Sequence, residues 1–245
     1  MKNITKKDFF KIGVCWVIVV SFFVLFMYIY KRYSPIWISK IEFRDPYLHY
    51  KKGKEFLKKG KLEKAKEEFY YAIRFDPKNA QFQFAYGDVL EKEGNVDKAI
   101  EYYKRSVALS PNTWNYYYRL AYVYLLKKKD LDKAEYYFKK TMELTKNNNV
   151  KAKSYYYIGE IKEKKNDYIS AFYYYEKYLT LNKSDVKVLL KLADMYYKQG
   201  FYKKALEKYQ KYLKISPNDK TIIEKIYDCE SHISAKTPSL KLFEE

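Results

Sequence analysis

The stretch Ala99–Pro111, AIEYYKRSVALSP, returns in altered form as Ala205–Pro217, ALEKYQKYLKISP, with alanine, tyrosine and proline at the same offsets. The echo belongs to a frame of about 34 residues, with starts at Pro46, Ala80, Trp114, Ala152 and Val186. Frame position 8 is Gly53, Gly87, Ala121, Gly159 and Ala193, always small. Position 20 is Ala65, Ala99, Ala134, Ala171 and Ala205, with one inserted residue in the third frame. Position 24 is Phe69, Tyr103, Phe138, Tyr175 and Tyr209; position 32 is Pro77, Pro111, Lys146, Lys183 and Pro217.

Each column has a physical reason. Small residues at positions 8 and 20 let two helix backbones approach, and the aromatic at 24 fills the space beside that contact. Proline at 32 ends the second helix, because it lacks an N–H and disfavours helix in the residue before it. Position 15 is Gly60, Gly94, Asn166 and Gly200, residues that accept the left-handed conformation closing a helix. The third frame has Lys128 there and a lengthened KKKDLD turn, so its cap must differ. Six of the seven glycines thus fall at two frame positions. Glycine and proline at these places also forbid an unbroken heptad, which excludes a long coiled coil.

This pattern resembles the tetratricopeptide repeat, whose small-8, Tyr-11, Ala-20, aromatic-24, Pro-32 signature it follows. Position 11 (Phe56, Leu90, Tyr124, Lys162, Tyr196) departs once, at Lys162. The resemblance covers residues 46–217 and implies an all-α fold, a right-handed superhelical solenoid of about five helix-turn-helix repeats. Their expected limits are 46–79, 80–113, 114–148, 152–185 and 186–219. A stacked array exposes apolar surface at its last repeat, so the segment 218–234, with Ile222, Ile223, Ile226, Tyr227 and Ile233 on one helical face, is expected as a capping helix. Residues 235–245 form a short tail.

Ahead of the repeats, Ile12–Tyr30 runs for nineteen residues without a charge. As a helix it is about 28 Å long, the thickness of a hydrocarbon core. Its twelve Ile, Val, Leu and Phe residues favour insertion by roughly 4–7 kcal/mol. Residues 1–11 form a short basic tail, 12–30 an expected N-terminal transmembrane helix and 31–45 a connector. No A-x-A-like site follows the apolar run, so the segment is read as a retained anchor and not a cleaved signal peptide. Four basic residues precede the span and four follow it, a tie on the positive-inside count. The ordinary signal-anchor outcome places the repeats on the non-cytoplasmic side.

No catalytic constellation is present: no P-loop, no G-x-S-x-G, no H-E-x-x-H and no C-x-x-C. Two histidines and two distant cysteines give no metal site and no disulfide framework, and no cofactor is expected. The chain is therefore read as a binding protein without enzymatic activity. The resemblance implies a concave groove lined from repeat positions 2, 5, 9, 12 and 13, holding a protein or peptide. The candidate groove residues are Tyr50, Phe84, Tyr118, Tyr156 and Leu190 at position 5, with Tyr122 at 9 and Tyr197 at 12. A carboxylate clamp for chaperone tails needs Asn at position 9. That position holds Lys54, Asp88, Tyr122, Glu160 and Asp194, so no such clamp is expected.

The net charge of +19 suits anionic partners without choosing among them. The first reading is a membrane-tethered adaptor or scaffold for assembly of an envelope or membrane-associated complex. The alternatives are a nucleic-acid-binding helical array, disfavoured because acids dilute the bases along each helix, and an array docked on anionic lipid headgroups through Lys51, Lys52, Lys54, Lys58, Lys59 and Lys61.

Overall fold

The computed structural model describes residues 21–32 and 44–235, and among them every regular element is helical. Residues 21–32 form α1. The remaining helices are α2 (Pro46–Lys58), α3 (Leu62–Phe75), α4 (Ala80–Lys92), α5 (Val96–Leu109), α6 (Trp114–Val123), α7 (Leu131–Leu144), α8 (Asn148–Lys164), α9 (Tyr168–Leu181), α10 (Val186–Lys198), α11 (Tyr202–Leu213) and α12 (Lys220–Ala235). The chain divides into two compact units, with the break between Tyr102 and Tyr103 inside α5.

In the first unit α2 packs on α3 and α3 on α4. Their shared core holds Ala65, Phe69, Ala85 and Val89, with Tyr50, Phe56, Leu57, Leu62 and Tyr86 packed around it. A Cβ built on Gly53 would lie 2.6 Å from the Phe69 ring, so position 8 is small because the position-24 ring lies directly on it. The same holds in the second unit, where a Cβ on Gly159 would lie 2.9 Å from Tyr175.

In the second unit α6 pairs with α7, α8 with α9 and α10 with α11, while α12 packs on α11. One core joins Ala171, Tyr175, Leu192, Ala193, Ala205 and Tyr209 to Ile222 and Cys229 of α12. All five position-20 alanines and all five position-24 aromatics of the chain have no exposed surface.

Helix starts are set by short polar caps. The side chains of Asp45, Asn79 and Asp185 accept from the backbone N–H of the second residue of α2, α4 and α10, and Asp185 from the third as well. Turns inside the pairs use left-handed residues: Gly60, Gly94 and Gly200, and Asn166 with φ 59°. The third frame differs from the expected register. Its extra residue is absorbed by a π turn over Tyr124–Lys128, and the left-handed residue is Lys129 (φ 54°), one beyond Lys128. Asn147 caps α8, and Asn148 and Asn149 are its first two residues, so the helix starts four residues ahead of Ala152.

The expected transmembrane helix is not supported. Residues 12–20 lie outside the described residues. Among the described residues no helix is long and apolar enough to cross a membrane, because α1 contributes only the last ten residues of the apolar run. Those it does contribute, Phe22 to Tyr30, are all exposed. Residues 1–11, most of the connector and residues 236–245 also lie outside the described residues.

Candidate functional site

All seven groove residues proposed from sequence are half-buried, neither core nor freely solvated. In the first unit Tyr50 lies 5.8 Å from Phe69 and 5.2 Å from Phe82 by ring centroid, and the Lys54 ammonium sits 5.4 Å over its face. Burial, with the Asp88 charge adding to it, raises the Tyr50 hydroxyl above its ordinary pKa. Phe84 lies on α4 of the same unit.

In the second unit Tyr118 and Tyr122 of α6 meet Tyr156 of α8 through a residue that the sequence reading passed over. Tyr157 stands edge-on to Tyr122 at 5.8 Å and to Tyr156 at 5.6 Å. It also stacks on Phe138 at 5.1 Å, while Tyr118 meets that same ring edge-on at 5.7 Å. Burial first, then neighbouring tyrosine hydroxyls, pushes Tyr118 up to about 12. The position-6 column holds Lys51, Ala85, Arg119, Lys191 and Lys225 elsewhere, so no periodic signal marked Tyr157.

Tyr156 continues the row. Its ring lies 5.9 Å from Tyr175 and 5.6 Å from Tyr178, and its hydroxyl donates to Glu160 Oε1 at 3.1 Å. Burial and the Glu160 charge push this hydroxyl to about 12, so it remains a donor at neutral pH. Leu190 packs against the second-unit core. Tyr197 is differently placed: its hydroxyl donates to Asp228 of α12 and its ring stands edge-on to Tyr202 and His232. It belongs to the joint with the last helix more than to the tyrosine row.

Beside Tyr156 a cavity of about 410 Å³ opens between α8 and α10, lined by Glu160, Glu163, Lys164, Lys191, Met195 and Lys198 among others. Glu163 accepts from the Tyr175 hydroxyl and from Lys191, each at 2.8 Å. Its charge is thus largely satisfied from within, and Lys164 and Lys198 stand exposed at the rim. The arrangement offers ring faces, an apolar floor at Met195 and cations, which suits a peptide segment. Among the described residues no three His, Cys, Asp or Glu side chains gather to hold a metal ion.

Models of the tetratricopeptide repeat match residues 50–113, 115–148 and 186–219. The chain belongs to the tetratricopeptide repeat family. Members of this family are generally non-enzymatic scaffolds that bind proteins or peptides. No curated protein matches the sequence. Among solved structures, the fold is similar to that of the MamA protein (20% identity, TM-score 0.62, covering 72% of this chain and 93% of MamA). It is also similar to YrrB, described as a tetratricopeptide protein with an unusual peptide-binding site (16% identity, TM-score 0.60, 74% and 91% covered). A third likeness is to pilF of Pseudomonas aeruginosa (20% identity, TM-score 0.58, 80% and 90% covered). At these identities the likeness concerns the fold.

Proposed function

We propose that this tetratricopeptide repeat protein is a membrane-tethered scaffold that binds a protein or peptide partner and assists assembly of an envelope or membrane-associated complex. The observation that carries the binding half is the half-buried row Tyr118–Tyr122–Tyr157–Tyr156, which runs from α6 to α8 beside the cavity at Glu160 and Lys191. Rigid rings with little rotamer entropy to lose, next to satisfied polar groups, favour capture of an extended segment. Leu190 and, in the first unit, Tyr50 and Phe84 extend the same position-5 column. The tether rests on the uncharged run Ile12–Tyr30, and we place the repeats on the non-cytoplasmic side by the signal-anchor argument.

Proximity labelling with the full chain in its host identifies the partner, and the purified pair then gives a Kd. Tyr122→Ala with Tyr156→Ala weakens that Kd by roughly 10–100-fold while leaving the fold intact by circular dichroism. An unchanged Kd removes the tyrosine row as the site. A C-terminal reporter that is active only in the cytoplasm reverses the placement.

A further inference from the structure

The basic surplus of this chain is concentrated in one place. Residues 51–61 carry six lysines (51, 52, 54, 58, 59 and 61) against one carboxylate, Glu55, more than a quarter of the net charge in eleven residues. All seven side chains are exposed. Lys51, Lys52 and Lys58 of α2 and Lys59 at its C-cap are spaced by seven residues in two pairs, so the four share one face opposite the buried His49 and Gly53.

These lysines are also uncommitted. Among the described residues, Lys51, Lys52, Lys58, Lys59 and Lys61 take part in no ion pair, whereas Lys66 on α3 is held by Glu93 and, in the second unit, Lys191 is held by Glu163. Of the counterpart first helices, α4 carries a net −1, α6 +1, and α8 and α10 +2 each, with Lys162 of α8 and Lys191 of α10 held in ion pairs, against +3 on α2. A lysine face of this kind is thus not a general property of the repeats. It occurs on the helix that follows the apolar run, and residues 33–45 between α1 and α2 can span at most about 45 Å.

We propose that the α2 lysine face docks on the anionic headgroup layer of the membrane to which the chain is tethered, fixing how the repeats stand over the bilayer. This rests on the tether reading above but not on the side assigned there: it needs only that the leaflet facing the repeats is anionic. The face is a broad helical surface, not a cleft, and its cations are spaced as point charges. A phospholipid surface satisfies such a face without shape complementarity. The attraction acts only within a Debye length of roughly 8 Å, so a tether that holds the face close strengthens docking, and salt abolishes it. Single-stranded nucleic acid would call for several ring faces among the cations to stack its bases, whereas the only exposed ring on α2 is Tyr47, which already packs edge-on against Phe82.

The test uses the full chain in nanodiscs of phosphatidylcholine, with or without phosphatidylglycerol, probed by a soluble amine-reactive reagent and read lysine by lysine. Docking slows labelling of Lys51, Lys52, Lys58, Lys59 and Lys61 by roughly tenfold in the anionic discs only. High salt reverses it, and the exposed Lys203 and Lys204 are unaffected. In the variant Lys51→Glu/Lys58→Glu/Lys59→Glu, the protection of Lys52 and Lys61 is lost. Equal labelling in both lipids, slowing spread over all lysines, or protection by added RNA in neutral discs overturns the proposal. Co-elution with discs reads the tether separately. A chain held by both lipids without protection keeps the tether and loses docking. A chain held only by anionic discs and released by salt keeps docking and loses the tether, and a chain held by neither loses both.

Discussion

The ammonium of Lys191 lies 5.0 Å over the ring of Tyr175, which belongs to the preceding helix pair. The relation recurs. Lys225 lies 5.6 Å over Tyr209, and Arg119 Nε donates to the Tyr103 hydroxyl at 3.3 Å. In each case a position-24 tyrosine faces the cation at position 6 of the next pair or, for Lys225, of the single last helix α12. Where position 24 is Phe138, position 6 is Tyr157, stacked on it; where it is Phe69, position 6 is Ala85. The aromatic is a tyrosine where the facing residue is a cation and a phenylalanine where it is not.

This pairing couples neighbouring repeats in the second unit. A double-mutant cycle of Tyr175→Leu and Lys191→Met gives a coupling of about 0.5–2 kcal/mol in chemical denaturation, since leucine removes both the ring under Lys191 and the hydroxyl that shares Glu163 with it. Additive single effects show that the two side chains are merely adjacent.

The position-8 glycines are set by the rings above them. Gly53→Ala gains about 1 kcal/mol of helix propensity, but its Cβ meets two carbons of the fully buried Phe69 ring at 2.6 and 2.7 Å. Overpacking of this kind costs about 1–3 kcal/mol, so the variant unfolds earlier by about 1 kcal/mol net. Gly159→Ala, whose nearest carbon is at 2.9 Å, loses less. Thermal unfolding of the two variants checks the order.

Glu135 supplies the acid limb of stability. It is buried on α7 and receives Lys139 at 2.8 Å, Lys162 at 3.0 Å and Lys165 at 3.1 Å. Burial alone would raise its pKa, but the three ammoniums overcome that and hold it at about 2. Its folded value is below its ordinary one of 4.5, so its contribution is present at neutral pH and is lost as pH falls from about 4.5 to about 2. Glu135→Gln therefore destabilises the protein by about 1–3 kcal/mol at pH 7. The gap to the parent closes in denaturation curves taken towards pH 2. A gap independent of pH assigns the loss to packing instead.

The frame columns made the helix pairing legible because each records a steric demand that repeats: a small residue under a ring, a stop after the second helix. Features occurring once were harder to read. Lys162, the one polar residue at position 11, was a departure without a reason; it reaches back to buried Glu135 on the preceding pair. Tyr157 was hidden because its column otherwise holds cations or alanine, and its role depends on Phe138, nineteen residues earlier. Prolines mark where helices end, and Asp45, Asn79 and Asp185, each one residue ahead of a frame start, fix where they begin; that column is broken by Thr113, which makes no side-chain cap bond, and by Lys151, where Asn147 caps α8 instead. The tyrosine row joins α6 to α8 through contacts between different pairs, which no single 34-residue frame contains.

The intra-pair turns offer a last comparison within one molecule. Lys129 holds φ 54°, a conformation that costs an L residue with a full side chain about 1 kcal/mol or more. Asn166 holds φ 59° with less strain, because its short amide tolerates that region. Lys129→Gly is therefore expected to stabilise the protein by about 1 kcal/mol, and Asn166→Gly by less than half of that. The reverse change is clean at Gly60, where nothing lies within 4 Å of a built Cβ, so Gly60→Ala loses about 1 kcal/mol from backbone conformation alone. Urea denaturation of the three variants reads all of these. If Lys129→Gly proves neutral or destabilising, the π turn draws on the lysine side chain for more than its backbone, and the extra residue of the third repeat is not a simple insertion.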